Sequence, residues 1–380
     1  MNKISRIKIT GFRRLDKIDL AVKPFMTLIG INGVGKTSFL DALTLLSASA
    51  SGDLQETLSQ FGGIASLQTR DKNYGFSFLV NMNVPGYDPI EYSLNVTPQG
   101  TAYSISRETL SQHRSGYEKP FMHIDSTNTN ICYFETGRGP IHPTWEHNHQ
   151  ETSLSQVPKM FQQPEELRRI LATTTQYHTL DIGLNAPVKL PQQMKPAVLP
   201  GANGGDLVSY LYYLRESDHN RFEAITDSLR AAFPDFEELN FPPVAAGMLT
   251  MTWKDRNFNK PLYMHELSEG TLRFLWLVSL LQSPNLSTIT MIDEPEVSMH
   301  PEQLSLLADL MRETSGRTQL IIATHSERLI RFLRPEEVVV MDVDETGCAV
   351  AAWADTLDLE KWLGEYSMDE VWRMGQLKGQ

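Results

Sequence analysis

A glycine-rich stretch near the amino terminus has the residue types and spacing of a phosphate-binding loop. Gly30–Thr37 reads Gly-Ile-Asn-Gly-Val-Gly-Lys-Thr and fits the pattern G-x-x-x-x-G-K-[ST]. Glycines let such a backbone curl until successive N–H groups point at phosphate oxygens. Lys36 would bridge the terminal phosphates, and Thr37 would bind Mg²⁺ through its hydroxyl group. The predicted ligand-binding residues are Asn32, Gly33, Val34, Gly35, Lys36, Thr37 and Ser38.

Two adjacent carboxylates lie near the other end of the chain. The mostly apolar run 288–292 ends at Asp293 and Glu294, and α/β sheets place ligand-binding groups at the ends of such strands. Asp293 suits the coordination shell of Mg²⁺, and Glu294 suits a base that activates or orients an attacking water. An Asp-Glu-Pro turn could simply cap a strand, but the phosphate loop upstream favours the second half of a hydrolytic site.

Two more segments flank these carboxylates. Ser268 opens a predicted helix and would be a good N-cap, which explains the serine but not the arrangement Ser-Glu-Gly that ends at Gly270. The apolar run 319–323 ends just before His325. A lone histidine at a strand end is usually structural, but its position after the carboxylate strand favours a contact with a γ-phosphate.

Alternation and apolar runs predict the elements that would position these residues. Before and after the phosphate loop we expect a buried strand over 26–30 and a helix over 38–50. Antiparallel strands are expected over 4–10, 16–22 and 74–107. The carboxyl-terminal part returns to α/β order, with helices over 268–282, 301–314 and 326–333 and strands over 288–292, 318–323 and 337–342. A strand and a short helical tail are expected over 348–380.

The middle of the chain is harder to interpret. Residues 108–203 are rich in Pro, His, Asn, Thr and Gln and predict an inserted lobe with long connections and one helix near 164–175. Two helices (205–216 and 219–233) and a strand pair (237–264) follow. The predicted fold class is therefore α/β, a P-loop NTPase core of ABC-ATPase type with an antiparallel β subdomain and a helical insert. The predicted units are 1–107 (amino-terminal core half), 108–236 (mostly helical or irregular lobe) and 237–380 (carboxyl-terminal core half).

Composition and charge narrow the possible locations and partners. No apolar run reaches the roughly 18 residues that span a membrane, and the amino terminus lacks the apolar core of a signal peptide, so we expect a cytoplasmic protein without membrane contact. The net charge of −12 argues against broad nonspecific nucleic-acid binding. A local basic patch remains open, because the first 23 residues hold Lys3, Arg6, Lys8, Arg13, Arg14, Lys17 and Lys23 against Asp16 and Asp19. The solvated side of an edge strand would explain them equally well.

The order phosphate loop, Leu-Ser-Glu-Gly, Ile-Asp-Glu-Pro-Glu and Ala-Thr-His-Ser resembles the ABC-type ATPase family, which includes the SMC-like and RecF-like DNA-maintenance ATPases. The opening KITGFRRLDKIDL, the stretch DEPEVSMHP and the tail LEKWLGEYSMDEVWRMGQLKG resemble stand-alone bacterial ATPases related to the overcoming-lysogenization-defect (OLD) nucleases. The resemblance covers about 1–70 and 200–380 and implies ATP and Mg²⁺ as cofactors. The coiled-coil arms of SMC proteins and the nuclease domain of the OLD proteins are not expected here.

Residue roles follow from this resemblance. Ser268 and Gly270 would contact the γ-phosphate held on the phosphate loop of a second copy, so that the site is complete only in a head-to-tail dimer. His325 matches the switch histidine, and Arg13 matches an arginine that touches nucleotide in the SMC-like group. Gln68 is our choice for the glutamine that senses Mg²⁺ and water, with Gln60 as the alternative.

The resemblance implies a nucleotide-gated homodimer, or a higher oligomer, that hydrolyses ATP to ADP and phosphate. The leading hypothesis is the sensor or motor of a bacterial antiphage defence system that controls a separately encoded effector, such as a TOPRIM-like nuclease. The alternative is a DNA-repair or DNA-clamping ATPase that binds DNA directly, which DNA-stimulated and strongly salt-dependent turnover would distinguish. A scaffold that binds ATP without hydrolysis is less favoured because the apparent base, Glu294, is present, and a transporter subunit is less favoured because of the DEPEVSMHP variant.

Two other clusters are set aside. His142, His147 and His149 could bind Zn²⁺ but lie in a polar stretch without a supporting carboxylate pattern. Trp362, Tyr366 and Trp372 fall near helical spacing and predict packing against the core, with a docking surface as the alternative. Cys132 and Cys348 are too few for a disulfide framework or a zinc cluster.

Overall fold

The computed structural model describes residues 3–72, 74–84, 88–114, 116–135, 139–144, 146–357 and 368–373. Its helices of four residues or more are α1 (Lys36–Ser51), α2 (Leu54–Gln60), α3 (Ile64–Leu67), α4 (Gln162–Ala172), α5 (Leu207–Ser217), α6 (His219–Ala232), α7 (Glu269–Leu281), α8 (Pro301–Thr314), α9 (Glu327–Ile330) and α10 (Met368–Arg373). Short 3₁₀ turns occupy Pro187–Lys189, Ala245–Gly247, Met264–Glu266, Pro335–Glu337 and Ala354–Thr356.

The strands divide between the two halves of the chain. The amino-terminal strands are β1 (Lys3–Phe12), β2 (Leu15–Ala21), β3 (Phe25–Ile29), β4 (Phe76–Asn83), β5 (Ile90–Gln99), β6 (Ala102–Gln112), β7 (Phe121–Thr127), β8 (Tyr133–Glu135), β9 (Gly139–Ile141) and β10 (Thr175–Tyr177). The later strands are β11 (Gln192–Gln193), β12 (Phe236–Asn240), β13 (Pro243–Val244), β14 (Met248–Leu249), β15 (Thr252–Asp255), β16 (Leu262–Tyr263), β17 (Ile289–Asp293), β18 (Gln319–Thr324), β19 (Val338–Val343) and β20 (Ala349–Trp353).

A six-stranded sheet in the order β10-β17-β18-β3-β19-β20 forms the centre of the molecule. Its strands are parallel except for β20, which pairs with β19 in an antiparallel hairpin. Parallel strands are buried on both faces, which explains the nearly continuous apolar runs of β3, β17, β18 and β19. The carboxyl ends of β3, β17 and β18 therefore meet at one edge, where the sequence places the phosphate loop, Asp293 and His325.

Alternate side chains of this sheet enter two different cores. Met26 and Leu28 of β3 pack with α1, α4 and an eight-stranded antiparallel sheet in the order β2-β1-β4-β5-β6-β7-β8-β9. Phe25 and Ile29 pack on the other face with α5, α6, α7 and α8. The central sheet thus joins an antiparallel subdomain to a helical layer, and the predicted α/β class with its antiparallel β subdomain is confirmed.

The segment after residue 107 differs from its irregular appearance in the sequence. Strand β6 runs through that boundary to Gln112, and β7, β8 and β9 extend the antiparallel sheet. Polar residues such as His123 and Ser126 are buried on β7, so simple apolar alternation does not mark it. Strand β10 is only three residues long and is stabilised by its parallel partner β17, a non-local contact. The division into three domains remains a prediction.

The basic amino-terminal stretch forms β1 and the edge strand β2. Arg6 and Lys8 both pair with Asp19, with N–O distances of 2.6 and 3.1 Å. Lys23 pairs with Asp355 at 2.6 Å. These contacts favour the solvated face of an edge strand over a free basic patch.

The other clusters also have structural explanations. Trp372 is half-buried against the helical core, whereas Trp362 and Tyr366 lie outside the described residues. Within the described ranges, no group of three or more His, Cys, Asp or Glu side chains is arranged to hold a metal ion. None of the helices in the same ranges combines the length and apolar character of a membrane span.

A buried carboxylate ties the antiparallel sheet to the segment that holds α1. Glu108 accepts hydrogen bonds from the backbone N–H groups of Ser153 (2.6 Å) and Leu154 (2.8 Å) and from the hydroxyl group of Tyr92 (3.0 Å). One residue before, the Thr152 hydroxyl group donates to the carbonyl oxygen of Ser49 on α1. The far end of the helix that follows the phosphate loop is therefore fixed to the sheet.

We predict that Glu108→Ala lowers the free energy of unfolding by about 2–5 kcal/mol, because three buried donors lose their acceptor. Urea unfolding followed by circular dichroism measures the change. Glu91→Ala, an exposed carboxylate on the neighbouring strand β5, is the matched control and should change stability by less than about 0.5 kcal/mol. Equal losses in the two variants would contradict the bridging role of Glu108.

Candidate active site

The phosphate loop is shaped by two glycines that no other residue could replace without strain. Gly30 has φ 154°, and a Cβ there would lie 2.5 Å from the carbonyl oxygen of Met341 on β19. Gly35 has φ 120° and precedes α1 without a side-chain cap. The first N–H groups of α1 are thus left for another acceptor, and a helix amino terminus with free N–H groups favours an anion.

Lys36 lies across the loop. Its Nζ donates to the carbonyl oxygens of Gly30 (2.7 Å) and Ile31 (3.1 Å). Burial lowers the pKa of Lys36, while the charges of Glu294, Asp293 and Glu296 oppose this shift. The amino group of Lys36 is therefore held by the loop's own carbonyl oxygens, next to carboxylates. A bound phosphate would compete with these carbonyl oxygens for the amino group.

The two carboxylates at the end of β17 have different environments. Burial, followed by the charge of Glu294, raises the pKa of Asp293. Glu294 has φ 51°, and its N–H donates to the carbonyl oxygen of Ala323 on β18 at 2.8 Å. Its Oε1 lies 2.8 Å from Nδ1 of His325, with both side chains partly exposed. The structure thus brings Glu294 and His325 together in a contact that the sequence did not reveal.

A cavity of about 750 Å³ contains most of the predicted residues. From the phosphate loop, its wall includes Asn32, Gly33, Gly35, Lys36, Thr37 and Ser38, whereas the Val34 side chain is buried under the loop. Asp293 and Glu294 line the same cavity. A hydroxyl group (Thr37) and a carboxylate (Asp293) are oxygen donors of the kind Mg²⁺ prefers. With the uncapped α1 they fit a magnesium–nucleotide complex.

Arg13 also lines this cavity, at the β1–β2 turn. It adopts the left-handed conformation with φ 49°, and its guanidinium pairs with Asp41 on α1. The guanidinium also lies 5.4 Å from the centre of the Phe61 ring. Arg13 is therefore near the phosphate loop, but its charge is directed to a carboxylate of α1.

The two candidate glutamines are in different places. Gln68 follows α3, lines the cavity and accepts a hydrogen bond from the N–H of Gly75 at 3.3 Å. Gln60 ends α2, where it is exposed and donates to Glu56 at 3.1 Å. Because Gln68 lines the cavity and Gln60 does not, location favours Gln68 over Gln60 as the glutamine that senses Mg²⁺ and water. This role remains a prediction.

Ser268 and Gly270 are not part of the phosphate-loop cavity. Ser268 is exposed at the start of α7, where its Oγ accepts from the N–H of Thr271 at 3.1 Å, and it lines a separate surface pocket. A Cβ on Gly270 would lie 2.3 Å from the carbonyl oxygen of Ser298. The serine is therefore a true N-cap, and the glycine allows close contact with the turn that follows the carboxylates.

Two further residues, His178 and Glu296, lie at the same sheet edge and were not predicted from the sequence. His178 follows β10 and lines a small cavity together with Asp293. Glu296 is buried, and its Oε1 accepts a hydrogen bond from the Thr324 hydroxyl group at 2.5 Å. Among the residues that the structure describes, its Oε2 has no hydrogen-bond partner. The second Glu of Asp-Glu-Pro-Glu could have indicated Glu296. No local signal indicated His178, because β10 exists only through its pairing with β17.

Comparison with solved structures gives the fold class. The chain is similar to the structure of an SMC head bound to the C-winged helix domain of ScpA (15% identity, TM-score 0.58, covering 93% of this chain and 99% of that chain). It is also similar to SMC head domains derived from Pyrococcus furiosus, bound to the C-terminal domain of ScpA (11% identity, TM-score 0.53, covering 96% and 99%), and from Pyrococcus yayanosii (12% identity, TM-score 0.51, covering 96% and 99%). The fold is therefore that of the head domains of SMC proteins.

The family follows from a match over most of the chain. Residues 25–331 match the AAA_21 family, described as "AAA domain, putative AbiEii toxin, Type IV TA system", and the chain belongs to this family. A comparison with curated proteins gave no match. Membership of a P-loop ATPase family implies nucleotide binding, typically with Mg²⁺, and nucleotide hydrolysis.

We predict that Glu296→Gln becomes more stable, relative to the wild type, as pH rises. Burial raises the pKa of Glu296 above 4.5, so its contribution to stability is present at low pH and is lost as pH rises through the folded-state pKa. Glutamine keeps the acceptor for Thr324 without a buried charge. Urea unfolding at about pH 5 and about pH 8 measures the difference. Glu302→Gln, an exposed change on α8, should show none; a pH-independent difference for Glu296→Gln would contradict the assignment.

Proposed function

We propose that the protein hydrolyses ATP at sites completed between two copies of the chain. The observation that carries this proposal is the separation of the two predicted half-sites. Lys36, Thr37 and Asp293 share one open cavity, whereas Ser268 is exposed on a different surface. A head-to-tail pair would bring the α7 start of one copy to the cavity of the other, in agreement with the resemblance in the sequence.

Within each site, the chain's own residues would have distinct tasks. The loop N–H groups and Lys36 bind the phosphates, and Lys36 exchanges the carbonyl oxygens of Gly30 and Ile31 for phosphate oxygens. Glu294 orients the attacking water and accepts its proton. His325 holds the Glu294 carboxylate until a γ-phosphate replaces that carboxylate as the partner of His325. Mg²⁺, when held by Thr37 and Asp293, would neutralise phosphate charge.

The biological role that we propose is control of a separately encoded effector in bacterial antiphage defence. The family description, which names a toxin of a type IV toxin–antitoxin system, supports a role in conflict or defence. A TOPRIM-like nuclease is the effector that the OLD-like sequence features favour. The SMC head in complex with a ScpA domain is an instance of this fold with a separate protein bound to it.

Direct DNA clamping is the less favoured alternative. Phosphate binding needs cations that are free to contact the backbone of the nucleic acid. Arg6, Lys8 and Lys23 are instead engaged by carboxylates, and the whole chain carries a net charge of −12.

We predict that Glu294→Gln lowers ATP turnover about 100-fold or more while ATP binding is retained, because the base is lost but the phosphate loop is intact. Steady-state phosphate release and equilibrium dialysis measure the two properties, and size-exclusion chromatography with ATP should show an accumulated dimer. Glu302→Gln is the control and should behave like the wild type. Wild-type turnover by Glu294→Gln would reject Glu294 as the base.

A mixing experiment tests the shared site. Lys36→Ala breaks the phosphate loop and Ser268→Arg breaks the lid, so each variant alone should be inactive. Mixed in equal amounts they form heterodimers with one intact site, and activity should return to about a quarter of the wild-type value. The mixture of Lys36→Ala with the double variant Lys36→Ala/Ser268→Arg has no intact phosphate loop and is the control. An active Ser268→Arg protein, or a mixture without recovery, would contradict a site shared by two copies.

A further inference from the structure

Two hydrogen bonds join the turn after β17 to the turn after β18. The N–H of Glu294 donates to the carbonyl oxygen of Ala323 at 2.8 Å, which continues the parallel pairing of Asp293 with Ala323. Further along both turns, the Thr324 hydroxyl group donates to Oε1 of Glu296 at 2.5 Å. The first bond belongs to the backbone of the sheet, whereas the second depends on the particular side chains of Glu296 and Thr324.

The second hydrogen bond is buried. Thr324 is 0% exposed and Glu296 is 8% exposed. Transfer of a carboxyl group from water into a protein interior costs free energy unless polar partners compensate for it. Within the described part of the chain, Oε2 of Glu296 has no hydrogen-bond partner, so the compensation is incomplete. Stability alone does not explain a glutamate here, since an apolar side chain of similar size would avoid this cost.

The Thr324 hydroxyl group holds the backbone on both sides of His325. It donates to Glu296 and also accepts a hydrogen bond from the N–H of Ser326 at 3.0 Å. Ser326 is the residue before α9. The chain from Thr324 to Ser326 is therefore fixed by one hydroxyl group, and that hydroxyl group is held in turn by the Glu296 carboxyl group.

The His325 side chain itself lies in a more open position. It is 45% exposed, and its Nδ1 lies 2.8 Å from Oε1 of Glu294, whose side chain is 38% exposed. A contact between two partly exposed side chains fixes their positions only weakly. The direction of the His325 ring is therefore set mainly by its backbone, which is the part of the turn that Thr324 and Glu296 hold.

We propose that Glu296 and Thr324 are positioning residues that direct the His325 ring towards Glu294 and the γ-phosphate, and that they act on ATP hydrolysis through His325. This role rests on the proposed function, because it concerns the geometry of the residues that would carry out hydrolysis. Both positioning residues are buried, so we do not expect them to contact the nucleotide. Their loss should slow the chemical step and leave ATP affinity unchanged.

Substitution of Thr324 tests this role by steady-state phosphate release from the full chain with Mg²⁺ and ATP. Thr324→Val keeps the shape of the side chain but removes the hydroxyl group, and kcat should fall about tenfold. The Kd for the non-hydrolysable analogue AMP-PNP, measured by equilibrium dialysis, should stay within about twofold of the wild-type value. Thr324→Ser restores the hydroxyl group and should restore kcat to within about twofold.

Thr290→Val is the matched control for removal of a buried hydroxyl group from the central sheet. Thr290 is 0% exposed on β17, and its hydroxyl group contacts that of Thr318 at 3.1 Å, near the opposite ends of these strands from His325. Its kcat should equal that of the wild type. Urea unfolding followed by circular dichroism checks that every variant is folded under the assay conditions.

A double-mutant cycle with His325→Ala separates positioning from a general loss of structure. If Thr324 acts through His325, Thr324→Val should lower kcat about tenfold in the wild type but less than about twofold when residue 325 is already alanine. A purely structural effect would lower kcat by the same factor in both backgrounds.

The Glu296 side of the hydrogen bond gives an independent test. Glu296→Gln keeps an acceptor for the Thr324 hydroxyl group and should retain kcat within about threefold, whereas Glu296→Leu removes the acceptor at similar size and should lower kcat about tenfold. Equal kcat values for these two variants would contradict the role of Glu296.

Three results would overturn the positioning role: wild-type kcat in Thr324→Val, equal losses in the two backgrounds of the cycle, or an equal loss in Thr290→Val. Failure of the proposed function has a different signature. The wild type would then release no phosphate, or His325→Ala would release it at the wild-type rate, and either result would reject the positioning role together with the proposed function.

Discussion

The parallel pairing of β17, β18 and β3 is the constraint on which the rest of the structure depends. Thr324 of β18 is in register with Ile29 of β3, and Ala323 is in register with Asp293 of β17. Because parallel strands in register end together, the phosphate loop, the carboxylates and His325 are brought to one edge although about 260 residues separate them in sequence. Strands β10 and β19 extend the same edge on either side.

The loops that leave this edge pack so closely against neighbouring backbone that the residue types they can contain are limited. Gly30 lies against the backbone of β19, and Gly270 lies against the carbonyl oxygen of Ser298. Between them, Glu294 is fixed to β18 by its backbone and faces His325 with its side chain. The turn after β17 therefore contacts both β18, the strand that precedes His325, and α7, the helix that Ser268 caps. This turn therefore connects the residues proposed to hydrolyse ATP with the surface proposed to face a second copy.

Side chains of both signs of charge line the cavity. The charges of three carboxylates, Glu294, Asp293 and Glu296, act on the buried Lys36, and Arg13 pairs with Asp41. A triphosphate with its metal would bring both signs of charge and could exchange with these internal contacts.

Most of the motif-bearing elements could be predicted because their signals are local. The strand–loop–helix around the phosphate loop, the apolar strand before Asp293 and the N-cap at Ser268 depend on spacing within a few residues, and the structure contains all three. Strand β7 could not be recognised because its polar residues His123 and Ser126 are buried. Strand β10 could not be recognised because it is stabilised by pairing with the distant strand β17. The choice between Gln68 and Gln60, the contact of Glu294 with His325 and the presence of His178 all required knowledge of which loops share an edge.

The amino-acid sequence alone determined the family, which the match over 25–331 confirmed. It also predicted the chemistry, with a loop for phosphates and carboxylates for a metal and a water. Only the tertiary structure decided which of these groups lie together and which face outwards. It placed Lys36 with Asp293, left Ser268 on another surface, and used the β19–β20 turn to close the cavity. The physical reason is that local spacing sets the conformation of a loop, whereas strand order in a sheet is fixed by burial and pairing between segments far apart in the chain.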